Sequence, residues 1–177
     1  MVRTVRGHAM VDGLITIRRA TIRDLSTLVY HWHYVWADQG YLNRRRLEKS
    51  DSVFRQWARE QIREGGLLVW LAEVNGVAVA SESLWLKPIT PLPHRDGLVQ
   101  PYLCSLYTEP KWRHRGIATR LVRAAAKWSR RHKYQVLMLY SSKPARKMYT
   151  KMGFKRTWDM ELVISPGQKS DWKPGSR

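Results

Sequence analysis

The sequence predicts a mixed α/β (α+β) domain in which helices cover a mostly antiparallel sheet, and three observations carry that prediction. Leu14 to Ala20 alternates apolar and polar residues, the period of a half-buried strand. Asn75-Gly76 separates two apolar runs, and a type I′ hairpin turn favours that pair because both central residues need positive φ. Gly116 to His132 places Ile117, Leu121, Ala124, Ala125 and Trp128 on one side and Arg120, Arg123, Lys127 and Arg130 on the other, the pattern of an amphipathic helix.

The remaining elements follow in order. Thr21 to Ala37 reads as a helix with Asp24 near its start and Leu25, Leu28, Val29, Trp32 and Val35 or Trp36 along one side. Gly40 to Lys49, with Arg44-Arg45-Arg46, reads as a loop. Ser50 or Asp51 can cap a second helix reaching Glu64, with Val53, Phe54, Trp57 and Gln61 or Ile62 inward and Gly65-Gly66 ending it. Leu67 to Val74 and Val77 to Leu86 are the hairpin strands. Pro88, Pro91 and Pro93 make Lys87 to Gly97 a loop, and Leu98 to Thr108 resumes as a strand. Beyond the amphipathic helix come a short buried strand (Val136 to Tyr140), a helix (Pro144 to Met152) and a last strand (Lys155 to Ile164). The expected organisation is a loose lead over 1–13, one domain over 14–164 and a loose polar tail over 165–177.

A chain of 177 residues with 44% hydrophobic content can bury one core. No apolar run approaches the ~18–20 residues of a membrane span, and Met1 to Gly13 lacks the apolar stretch of a secretory leader, so a cytoplasmic protein without membrane partners is expected. The single cysteine, Cys104, excludes an internal disulfide framework and a cysteine-rich zinc site. The net charge of +18 is unevenly spread: residues 110–158 hold 15 Lys/Arg and no acid, whereas 1–109 are nearly balanced, with 14 against 11. That segment attracts anions, whether cofactor phosphates or a nucleic-acid backbone, and a solvated basic face would look the same.

The chemistry-bearing segment is Tyr107-Thr-Glu-Pro-Lys-Trp-Arg-His-Arg-Gly-Ile-Ala-Thr-Arg120, which leaves a strand and opens a helix. Pro110 stops the strand ladder. Gly116 permits a tight turn and close approach of a ligand, and the amides of Ile117, Ala118 and Thr119 are unpaired first-turn donors at the positive end of a helix dipole. The segment is neither a Walker A loop, with no Gly-Lys-Ser/Thr, nor a three-glycine dinucleotide fingerprint.

Arg113-His114-Arg115-Gly116-Ile117-Ala118 resembles the acetyl-CoA signature Arg/Gln-x-x-Gly-x-Gly/Ala of the GCN5-related N-acetyltransferase (GNAT) superfamily. Ser142-Lys-Pro-Ala145-Arg-Lys-Met-Tyr149-Thr-Lys-Met-Gly153-Phe154 resembles that family's Asn-x-x-Ala-x-x-x-Tyr-x-x-x-Gly-Phe, with Ser142 replacing Asn. The resemblance implies the GNAT fold: a mixed, mostly antiparallel, twisted sheet of six to seven strands, about four flanking helices, and strands splayed at the acetyl-CoA site. It implies acetyl transfer from acetyl-CoA, as co-substrate and without a metal, to a primary amine by direct attack. Leu106, Tyr107 and Thr108 would line pantetheine, with an amide near Leu106 donating to the thioester oxygen. Arg113, His114, Arg115, Gly116, Ile117, Ala118 and Thr119 would hold the pyrophosphate, and Ser142 would stand at a pantetheine or ribose contact. Tyr149, also cofactor-contacting, would protonate the departing thiolate.

An amine acceptor arrives as ammonium, so a carboxylate is wanted near the thioester. Glu82, mid-strand on the Ala80/Leu84 face, is the first candidate base, against a plain surface or salt-bridged acid; Glu109 is second because it belongs to the phosphate-side loop. Cys104 reads as a strand residue rather than a nucleophile, and His31 and His33 face different sides of a helix, which speaks against metal binding. Tyr30, Trp32, Tyr34, Trp36, Tyr41 and Trp57, with Asp38, Glu48 or Asp51 nearby, could hold a cationic amine or simply pack helices together. A small amine is the expected acceptor, with a protein or charged tRNA as the alternative. Nucleic acid stays open as a partner of the basic segment, although no RNA-binding motif favours it, and a homodimer is compatible with the sequence.

Overall fold

The computed structural model describes residues 14–40, 43–93 and 96–157. Strand β1 (Ile15–Arg19) is followed by a short turn of 3-10 helix (Ile22–Asp24) and by helices α1 (Leu25–Asp38) and α2 (Arg44–Arg63). Strands β2 (Leu67–Val74), β3 (Val77–Pro88) and β4 (Val99–Thr108) come next, then α3 (Ile117–Arg131), β5 (Met138–Leu139) and α4 (Lys143–Lys151). The five strands lie in sequence order; β1 to β4 pair antiparallel, and β5 runs parallel to β4. The last predicted strand is not formed at 155–157, and the rest of it lies outside the described residues, as do the N-terminal lead and the C-terminal tail.

Local chemistry explains the boundaries. Thr21 and Asp24 form a reciprocal capping box at the entry to α1. The Arg18 guanidinium ties Asp24 (2.7 Å) and Glu73 (2.7 Å) together, and this pairing holds the Asp24 carboxyl down at about 2. The β2–β3 hairpin turns at Asn75 (φ 51°) and Gly76 (φ 77°), the backbone that a type I′ turn demands.

The second helix differs from the sequence reading. It begins at Arg44, because Asn43 accepts a hydrogen bond from the Arg46 amide (3.1 Å) and Arg44 pairs with Glu48 one turn on (2.9 Å). The arginine cluster is therefore helical. Its inward stripe is Leu47, Phe54 and Ala58, and this phase leaves Val53 62% exposed rather than inward. The expected buried strand over Val136 to Tyr140 pairs only at Met138 and Leu139, which are half-buried, while Val136 and Tyr140 are exposed.

Two apolar clusters sandwich the sheet. On one face α1 and α2 pack Leu25, Leu28, Val29, Phe54 and Ala58 onto Leu67, Val69 and Leu71. On the other, α3 and α4 pack Ile117, Leu121, Val122, Ala125 and Tyr149 onto Ala72, Ala80, Leu84 and Leu103. Trp32 stacks on Phe54 (centroids 4.3 Å apart), and Trp57 meets Trp85 edge-on (5.6 Å), so these indoles are packing groups. Among the described residues no helix is long and apolar enough to cross a membrane.

His31, buried between α1 and the sheet, contacts the Ser81 hydroxyl through Nδ1 at 2.8 Å, and burial pushes its pKa down to about 4. The unfolded chain takes up a proton near pH 6.5 that the folded chain refuses until about pH 4, so stability is intact above pH 6.5 and falls between those values. The loss should be about 3 kcal/mol at most. Thermal melts from pH 7 to 4.5 should show a shallower decline for His31→Gln than for the unsubstituted protein; equal slopes would assign the acid sensitivity to other groups.

Candidate active site

The site forms where β4 stops behaving as an ordinary strand. Ser81 pairs with Tyr107 but Ser83 pairs with Cys104, so one β3 residue, Glu82, faces two on β4, Ser105 and Leu106. This is a β-bulge, and Ser105 takes the left-handed conformation (φ 60°) that such a kink needs. The outer edge of β4 pairs with β5 only at Tyr102 and Leu103. Among the described residues, then, β4 from Cys104 onward has no strand partner on that side, and the main chain of Leu106, Tyr107 and Thr108 runs along an open edge.

Glu82 lies beneath the bulge. It is fully buried, and neither carboxyl oxygen has a hydrogen-bond partner. Desolvation raises its pKa well above the ordinary carboxylate range. Tyr149 reaches the same place from α4: it is 7% exposed, meets Phe154 edge-on at 5.5 Å, and lies near enough to Glu82 and Cys104 to feel both. Burial first, then those neighbours, raises its pKa, so the phenol keeps its proton. Burial, reinforced by Glu82, pushes the Cys104 thiol up to about 12, which leaves it un-ionised and a poor nucleophile.

Beyond Thr108 the chain makes a short 3-10 turn at Pro110–Trp112 and enters α3 through Gly116, whose φ of 74° is left-handed. The helix ladder starts with the Arg120 amide donating to the Gly116 carbonyl (3.1 Å), so the amides of Ile117, Ala118 and Thr119 point out of the first turn. No side chain caps this end and no acid lies in the first turn. A Cβ built on Gly116 would meet nothing within 4 Å. An uncapped helix dipole facing open space is a cradle that fits a diphosphate. The Ile117 side chain is buried in the core, so only its amide serves there; His114 (φ 62°) and Arg115 are exposed, with the Arg115 guanidinium over Trp112 at 4.8 Å.

Arg113 is occupied elsewhere. Its guanidinium pairs with Asp38 at the end of α1 and donates from Nε to the Thr108 carbonyl (2.9 Å), so the side chain braces the loop against α1 instead of facing the α3 amides. Ser142 occupies the N-cap of α4, but its hydroxyl makes no capping bond.

A groove of about 390 Å³ between α3 and α4, which the sequence reading missed, is lined by Thr119, Arg123, Lys147, Met148, Lys151 and Met152. Its signal was the coincidence of two basic helix faces, legible only once the helices are known to be neighbours. All fifteen Lys and Arg of residues 110–158 are exposed. His33 pairs with Asp51 (2.6 Å), and no group of three metal-ligating side chains occurs among the described residues.

Substituting Gly116 separates binding from folding. Gly116→Ala forces a non-glycine residue into left-handed backbone at a cost of about 1 kcal/mol and extends a methyl toward the cradle. We expect acetyl-CoA affinity, measured by calorimetry, to fall at least about tenfold while the fold survives in thermal melts; unaltered affinity would place the diphosphate elsewhere.

The model of the acetyltransferase (GNAT) family matches residues 26–154. Among solved structures, a GCN5-related N-acetyltransferase from Ralstonia eutropha JMP134 superposes with a TM-score of 0.80 at 24% identity, covering 85% of this chain and 99% of that one. A predicted acetyltransferase from Clostridium acetobutylicum, solved with acetyl-CoA, superposes with a TM-score of 0.78 at 25% identity, covering 85% and 97%. A ribosomal-protein-alanine N-acetyltransferase from Brucella melitensis biovar Abortus 2308 gives a TM-score of 0.63 at 18% identity, covering 86% and 99%. No curated protein sequence matches. With most of its length matched by the family model and its fold shared with these structures, the chain belongs to the GNAT acetyltransferases, enzymes that transfer an acetyl group from acetyl-CoA.

Proposed function

We propose that this enzyme acetylates a small primary amine, with Tyr149 as the general acid and Glu82 as the general base. The observation that carries the reading is the pairing of a buried, unpartnered carboxyl and a buried phenol at the β4 bulge. A carboxyl without hydrogen-bond partners in a core costs several kcal/mol of solvation unless it has work to do.

Acetyl-CoA supplies the activated acetyl group as a thioester. The residues suited to hold it are the amides of Ile117, Ala118 and Thr119 for the diphosphate, the open β4 edge from Leu106 to Thr108 for the pantetheine arm, and the cationic α3–α4 groove, which starts at Thr119, for the phosphorylated nucleotide end. Arg113 serves this half indirectly, by bracing the loop. A carboxyl held above its ordinary range takes a proton readily once ionised, which suits Glu82 to remove one from the acceptor ammonium. A phenol kept protonated by burial suits Tyr149 to deliver its proton to the leaving sulfur. The backbone amide at the bulge is suited to hydrogen-bond the thioester oxygen.

The fifteen exposed cations also favour an anionic macromolecule as acceptor or partner, but the phosphates of acetyl-CoA account for those beside the cradle and groove. The direct test is an amine panel read by release of CoA thiol; no release with any amine, peptide or aminoacyl acceptor would remove the proposal.

Two substitutions test the roles. Tyr149→Phe should lower kcat by about two orders of magnitude while the KM for acetyl-CoA moves less than about threefold, because the missing proton is needed only as sulfur departs. Glu82 must be ionised to act, so kcat/KM should rise with pH through an apparent pKa above the usual carboxylate range. Glu82→Gln should abolish that limb; a limb that persists in the variant would assign the base elsewhere.

A further inference from the structure

From the surface beside the bulge we infer that the acceptor is a small primary amine carrying a second positive charge, held by the exposed rings of Tyr30 and Tyr34 beside Glu109. The inference rests on the reading of the enzyme as an amine acetyltransferase and adds the chemical class of its acceptor.

Tyr107 pairs with Ser81, whose hydroxyl meets His31 of α1, so its ring lies on the α1 face, opposite α3 and its cradle. The ring of Tyr107 is 5.0 Å from that of His31 and 6.1 Å from Tyr34, and Tyr34 is 4.7 Å from Tyr30. Tyr30 and Tyr34 are 46% and 37% exposed. The exposed parts of Tyr30 and Tyr34, packed beside the buried Tyr107 ring that follows Leu106 of the bulge, form a wall whose π faces attract cations. The molecule already places one there: the Arg113 guanidinium stands 5.9 Å over Tyr107. Tyr30 and Tyr34, tilted against each other, are the rings beside it that reach solvent.

Charge supports the same reading. Asp38 is paired with Arg113 and so neutralised. Glu109 accepts a long contact from the Tyr107 hydroxyl at 3.4 Å, and among the described residues no Lys or Arg forms a salt bridge with it. It also lies close enough to the Tyr30 hydroxyl to reinforce what burial does to that phenol, and both tyrosines are held un-ionised. The result is one net negative charge among neutral aromatic rings, in a protein of net charge +18. Positive charge with no acid on the same element is concentrated on the opposite side, on α3 and α4, where an anionic co-substrate belongs. Two substrates of opposite charge are thereby sorted to opposite sides of one sheet.

The test compares three amines with the same four-carbon chain: putrescine, butylamine and γ-aminobutyrate, which end in ammonium, methyl and carboxylate. Putrescine should be acetylated with a kcat/KM about tenfold above butylamine, and γ-aminobutyrate should be poorest, because one cation–π contact plus a carboxylate contributes on the order of 1–2 kcal/mol. Glu109→Gln should remove most of the putrescine advantage, and Tyr34→Ala should reduce it. Equal rates for putrescine and butylamine, or an advantage that survives Glu109→Gln, would overturn the inference. Calorimetric titration of putrescine into the CoA-loaded protein reads binding without turnover. Glu109-dependent heat with no thiol release from any amine supports the cation site while removing the transferase reading; butylamine turnover without putrescine binding does the reverse.

Discussion

The site depends on a single mismatch of register. One residue of β3 stands against two of β4, and the consequences reach every part of the active centre. The bulge turns β4 away from β5 after only two paired positions, which leaves the edge amides and carbonyls of its last residues available to a ligand instead of to a strand. It also puts Glu82 under the opening, in a place where a regular ladder would have packed a Leu or Val between Ala80 and Leu84. The carboxyl is tolerated because the fold around it is dense: Leu84, Leu121 and Val122 have no exposed surface. A core that well packed can hold one unsatisfied acid without losing its shape.

Around this mismatch the two faces of the sheet take separate duties. The α3–α4 face has a dipole end without a cap, a glycine in left-handed backbone facing open space, and cations on both helices. The α1 face has neutral rings and Glu109. Arg113 crosses between them, with one nitrogen on the Thr108 carbonyl and another on Asp38. A bidentate, permanently charged side chain suits such a brace better than lysine, since its planar fork fixes direction as well as distance. Bracing the loop to α1 would hold the proposed diphosphate cradle and acceptor wall in fixed relation, so that binding on one side meets a prepared surface on the other.

Much of this could be read in the sequence, and the parts that could not have physical reasons. Asn75-Gly76 and the α3 stripe are local signals, because turn geometry and helix period are set within a few residues. The turn at Gly116 before α3 and the placement of Tyr149 on α4 were legible from motif spacing. The start of α2 was not: three arginines in a first turn oppose the helix dipole, and only the Asn43 cap together with the Arg44–Glu48 pair reverses that preference. The burial of His31 was also hidden, since its partner Ser81 is fifty residues away on another element. The role of Arg113 was masked by its own motif, which suggests a phosphate contact while tertiary packing commits the side chain to Asp38.

Burial moves Glu82 and Tyr149 in the same direction, and the proposed general-base and general-acid roles need that. Both groups are held toward their protonated forms by the loss of water. For the phenol this preserves the proton it is to give. For the carboxyl it raises basicity, so that once ionised it competes for a proton on nitrogen far better than a solvated glutamate would. Had the fold exposed the pair to water, Tyr149 would gain little and Glu82 would become an ordinary weak base. Had it given Glu82 an arginine partner, the carboxylate would be stable and inert. An unpaired acid beside a dry phenol suits the two proposed proton transfers, and the cost in stability is borne by the two apolar layers that close over the sheet.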